Sequence, residues 1–111
     1  MGINQGGVFD DTNESYVSRK ITVGNTQVKA VANVDGITNL EGRQEVFIYN
    51  ASSNKTIWYG PNGVIDDSPG GVAQGIPLEP GETLNISLTD KVDLYLICDS
   101  SNNDVIIQEL G

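Results

Sequence analysis

The groups in this sequence that could do chemistry are few: one cysteine, fifteen carboxylates and a handful of aromatic rings, with no histidine at all. The missing histidine removes Ser-His-Asp and Cys-His nucleophilic mechanisms and any two-histidine copper site. One cysteine without histidine cannot fill the four positions of a structural zinc site with its preferred ligands. Cys98 follows an apolar run on the same face as Leu94 and Leu96, and Asp99 comes next. A reactive thiolate wants a cationic neighbour, so Cys98 reads as a small core residue. Being alone, it forms no disulfide within the chain.

Two carboxylate pairs stand out, Asp10 with Asp11 and Asp66 with Asp67. Calcium takes about six to eight oxygens in spaced ligand positions, and "DDSPGG" lacks that spacing. The pair reads as a solvated acidic loop. A glycosidase also needs two carboxylates, but fifteen acids in 111 residues supply such pairs by chance. Trp58, Tyr59 and Tyr49 could offer a sugar platform. Neighbours on a strand point to opposite faces, so Trp58 and Tyr59 cannot share one, and core packing is the expected use of either ring. Gly60, Gly63, Gly70 and Gly71 precede neither Lys-Ser/Thr nor a helical pattern, so they make no phosphate cradle. No residue is assigned to catalysis, to a cofactor or to a metal, and an enzyme is not expected.

The net charge of −9 is scattered from Asp10 to Glu109. Such a surface favours solubility and repels phosphate, so neither nucleic acid nor an anionic membrane is an expected partner. No apolar run approaches the about 18 residues of a membrane span. "MGINQGGVFDD" lacks a basic segment followed by an apolar one, so synthesis in a cytoplasm without a signal peptide is expected. Asn13, Asn50, Asn54 and Asn85 each head an Asn-x-Ser/Thr sequon, which on this reading reflects only composition.

The elements that must carry these residues follow a period of two. Runs of alternating or β-branched character occur in "KITV", "TQVKAVANV", "QEVFIYN", "TIWYG", "TLNISL", "KVDLYLIC" and "DVIIQEL". Between them lie turn clusters rich in Gly, Asn, Asp and Pro, and no window shows a helical stripe. In "GIPLEPGETLNISL", Pro77 and Pro80 suit an edge strand or connector, and "EPGE" reads as a type II turn launching the next strand. The expectation is an all-β, antiparallel β-sandwich, jelly-roll or Ig-like, of about seven short strands. Residues 1–18 are polar and Gly-rich and read as an extended N-terminal arm, either loose or ordered on a neighbour. The sandwich domain takes 19–111. The gap from Gly60 to Gly75 is long for a compact domain, as functional loops often are.

The succession "RQEVFIYNASSNKTIWYG", "GIPLEPGETLNIS" and "DLYLICDSSNNDVIIQEL" resembles small β-sandwich modules of tailed-bacteriophage virion proteins. The matching pieces are residues 50–53, 57–60, 75–82, 94–97 and 105–110, within a span of about 20–110. The resemblance implies a structural virion protein of the decoration, head-fibre or tail-accessory type. Its expected form is a capsid decoration protein on the outer surface of the head, assembled in the host cytoplasm, with the major capsid protein as partner. A homo-oligomer, a trimer at local threefold positions, agrees with the prevalence of closed symmetry. A small tail or neck component and a carbohydrate-binding module are the alternatives. Apolar residues in otherwise polar segments are the expected docking anchors: Val8, Phe9, Tyr16 and Val17 in the arm, and Val64, Ile65 and Val72 in the long loop.

Overall fold

The computed structural model describes residues 15–65, 73–100 and 102–111. Among these residues eight strands occur, in the order β1 (Tyr16–Val23), β2 (Val28–Lys29), β3 (Glu45–Asn50), β4 (Ile57–Gly60), β5 (Ile76–Leu78), β6 (Thr83–Ser87), β7 (Tyr95–Ile97) and β8 (Asn103–Leu110). No helix occurs among the described residues.

The pairing is nested. β1 pairs with β8, β2 with β7, β3 with β6 and β4 with β5, all antiparallel. The chain is therefore one long hairpin, closed at β4–β5 and rolled on itself. Pairing of β3 with β8 and of β4 with β7 completes two four-stranded sheets. Their orders are β1-β8-β3-β6 and β2-β7-β4-β5. This winding is that of a jelly roll, not the ABED/CFG arrangement of Ig domains.

Alternation explains which faces meet. Val46 and Ile48 of β3 and Val105 and Ile107 of β8 point inward from the first sheet. Ile57, Leu78 and Leu96 meet them from the second. Each such fully buried aliphatic side chain contributes about 1.5–3 kcal/mol. Cys98 lies in this core, as its apolar face implies.

Several elements differ from the sequence expectation. β1 begins at Tyr16, so residues 16–18 of the expected arm are strand, paired with Leu110, Glu109 and Gln108. Arg19 on the inward side interrupts the apolar alternation and hides this start. "TQVKAVANV" forms only a two-residue strand, because the Val31 N–H turns back onto the Lys29 carbonyl at 3.0 Å. Ala30, Val31 and Ala32 are all buried after it. The eighth strand is β5, at the sheet edge where Pro77 is tolerated. In "EPGE" the Glu82 N–H donates to the Glu79 carbonyl at 3.0 Å with Gly81 at φ +82°, the type II geometry.

Candidate functional site

Among the described residues the best-connected polar group lies at the end of the sandwich where β8 finishes and β3 begins. Alternation along "VIIQEL" sends Glu109 inward with Val105 and Ile107. Glu109 and Arg43, just ahead of β3, have fully buried side chains and form an ion pair at 2.8 Å. The guanidinium has five N–H donors. Nε donates to Leu88 O, Nη1 to Asn39 Oδ1 and Glu109 Oε2, and Nη2 to Thr89 O and Val92 O. Glu109 Oε1 accepts from the Ala32 N–H, and Oε2 from the Leu40 N–H as well as from Arg43. Every donor of Arg43 and both oxygens of Glu109 are thus in use. The pair staples the 32–43 and 88–92 connections to the sheet ends.

Around it, carboxylates are held charged by neutral donors. Hydrogen bonding from the Asn39 amide, and then contact with Lys29, keeps Asp93 below its ordinary range, although partial desolvation opposes this. Asp35 is lowered from 3.8 to about 2, first by the Thr38 hydroxyl and then by the Thr38 and Ile37 N–H groups. These bonds fix the turn that carries Val34 and Ile37 outward.

At the opposite end Asn50 and Asn103 play the same structural part. The Asn50 amide donates to Lys55 O and Leu78 O, and its carbonyl accepts from Ser52 N–H. The Asn103 amide reaches Val23 O, Ser100 O and the Cys98 sulfur. The 51–54 and 102–104 segments there line a polar hollow of about 290 Å³.

Apolar exposure concentrates on the two open sides of the sandwich. On one side, β1 and the segment after β2 form a groove of about 260 Å³ lined by Val17, Ala32, Asn33, Val34, Leu40 and Glu109. On the other, the β5 and β6 edges frame a groove of about 280 Å³ whose walls include Tyr59, Ile76, Ile86, Leu88, Val92 and Leu94. Val34 is 83% exposed, Ile76 55% and Val92 50%.

The expected anchors are not brought together. Val8, Phe9 and Val72 lie outside the described residues. Tyr16 is exposed on the outer face of β1, while Val17 points into the first groove. Val64 is a correction: at 3% exposure it is interior and offers no anchor. Its N–H closes a turn onto Pro61 O, which folds the side chain back against Gly60. Ile65 is half-buried and bridges to Gln74. Ile76 and Val92, which the sequence reading missed, are half-exposed at the second groove; the signal was an apolar residue beside a strand end, next to Gly75 and Lys91. Trp58 and Tyr59 do face opposite ways, with Tyr59 packed on the core. Trp58 and Tyr49 project from different sheets. On the outer face of the second sheet, Trp58 instead lies diagonally from Tyr95, since Tyr95 pairs with Gly60 and Ile97 with Trp58.

No family model matches this chain, and no curated protein or solved structure matches it.

Proposed function

We propose that this chain is a non-catalytic structural module of a tailed-bacteriophage virion, a decoration protein that docks on the outside of the head. The observation that carries the reading is the groove between the β5 and β6 edges, an apolar surface on a rigid frame, flanked by half-exposed Ile76 and Val92. Jelly rolls recur in viral capsid proteins, which supports the class. The buried Arg43–Glu109 pair supports it too, because its hydrogen bonds are spent on the frame. In this reading the β5/β6 groove seats a residue of the major capsid protein, with the acidic surface forming a polar rim. Copies gather in a closed ring, a trimer at threefold positions of the shell.

Immunogold electron microscopy of particles from the source tests this. Gold over the heads is the expected result. Gold confined to tails or necks would overturn decoration while keeping a virion component, and unlabelled particles would overturn both. An Ile76→Lys/Val92→Lys variant should then fail to co-sediment with undecorated heads.

A second reading, a carbohydrate-binding module, draws on Trp58 and Tyr95 sharing one outer sheet face. Cross-strand diagonals of about 7–8 Å let two rings line one platform. A glycan array with the wild type and Trp58→Ala distinguishes it: saturable binding lost in the variant would favour this reading.

A further inference from the structure

We propose that Asn62 is a site of spontaneous modification, deamidation through a succinimide, and that Gln27 holds it unreactive in the folded chain. In that reaction the Gly63 nitrogen bonds to Asn62 Cγ and the Cγ–Nδ2 bond breaks. The Gly63 proton passes through solvent to the departing nitrogen, which leaves as ammonia. Water then opens the ring at either carbonyl and leaves aspartate or isoaspartate. The inference stands independently of the virion reading.

The sequence supplies the reactive pair. Asn62–Gly63 is the chain's one Asn-Gly step, and a glycine nitrogen has no Cβ beside it to hinder attack. The structure supplies a restraint on both reacting groups at once. The Gly63 N–H donates to Gln27 Oε1 at 2.8 Å, and Gln27 Nε2 donates to Asn62 Oδ1 at 2.6 Å. A backbone N–H can only donate, so this pairing fixes which way the Gln27 amide points. One side chain, 35 positions from Asn62 in sequence, thus holds the nucleophile's proton and the electrophile's oxygen together.

The turn itself adds to the restraint. The Val64 N–H closes onto Pro61 O at 3.0 Å, and φ is +87° at Gly63 but not positive at Asn62, the type II pattern. Ring closure needs the Gly63 nitrogen to eclipse Asn62 Cβ, and a type II turn, with ψ of about +120° at Asn62, rotates it away. Gln27 holds that turn by tying it to the connection between β1 and β2. Isoaspartate would carry the main chain through Cβ and Cγ, one carbon longer, inside the turn that keeps Val64 interior. The chain's one Asp-Gly step, Asp35–Gly36, is restrained separately. There the Gly36 N–H donates to Asn33 O at 3.0 Å, and the Asp35 carboxylate accepts from the Ile37 N–H and from the Thr38 N–H and hydroxyl. It shares no partner with Asn62, so it serves as an internal reference.

Peptide mapping by mass spectrometry tests this, reading isoaspartate at positions 62 and 35 in the full chain held folded at mildly alkaline pH. The same chain unfolded in urea gives the unrestrained rate. Gln27→Met keeps the bulk of the side chain and removes both contacts. It should modify Asn62 about tenfold faster than the wild type, the factor that about 1.4 kcal/mol of lost hydrogen bonding confers on a rate. Position 35 should stay as slow as in the wild type. By hydrogen exchange, the Gly63 amide should be protected in the wild type and exchange faster in the variant. A wild-type Asn62 that reacts at the urea rate would overturn the proposal, as would an unprotected Gly63 amide. So would an unchanged rate in Gln27→Met, or an equal rise at 62 and 35, which assigns the protection to the fold as a whole.

Discussion

At the scale of single residues, the Arg43–Glu109 pair is where a small change should cost most. Removing one partner leaves the other buried and uncompensated, and such losses run at about 3–5 kcal/mol. Arg43→Met should therefore lower the unfolding free energy by about that amount in urea denaturation. Arg43→Met combined with Glu109→Leu should recover part of it, since an apolar pair carries no desolvation penalty. A double variant no more stable than Arg43→Met would show that the lost backbone partners, and not the stranded charge, set the cost. Asp35 gives a pH prediction of definite sign. Its folded-state value of about 2 lies below its ordinary 3.8, so its stabilisation is present above 3.8 and is lost as the pH falls through 2. Thermal melts should decline across that window. Thr38→Val, which removes the largest cause, should move the Asp35 carboxyl titration, read by NMR, back toward 3.8.

At the scale of elements, glycines mark the tight places. Gly81 at φ +82° has open space around it, so Gly81→Ala should cost only the left-handed backbone penalty of about 1–2 kcal/mol. At Gly75 a Cβ would stand 2.5 Å from Ile65 O and 2.7 Å from Trp58 Cβ. Gly75→Ala should therefore lower the melting temperature by more than Gly81→Ala does, because backbone must shift. The same elements show what a sequence can disclose. β3, β6 and β8 are legible because inward and outward residues alternate without interruption. β5 is not, because three residues with a proline carry no period, and its identity comes only from pairing with β4. The inward placement of Glu109 is legible from Val105 and Ile107. Its partner is not: nothing local distinguishes Arg43 from the other five cations, and the contact spans 66 positions. The exposed apolar surfaces were hidden for a related reason. Ile76, Val92 and Val34 become one kind of surface only after the sheets stack and leave their sides open.

At the scale of the whole molecule, Ile76→Lys/Val92→Lys is expected to separate stability from docking. Exposed substitutions commonly stay within about ±0.5 kcal/mol each, so the melting curve should hardly move while head binding is lost. Unfolding of the variant at a much lower temperature would mean that the β5/β6 side is frame and not contact surface. The nested pairing also governs the order in which the molecule can be made. β8, the final strand, sits inside the first sheet, between β1 and β3. While the chain is being synthesised, β1 has no neighbour to pair with among the described strands, and β3 has β6 alone. Assembly of that sheet must wait for residues 103–110 to leave the ribosome. Folding is then a late, long-range event, of the kind that takes milliseconds to seconds. A nascent chain stalled short of Asn103 should remain protease-sensitive throughout β1, and one released with β8 complete should become resistant along its whole first sheet.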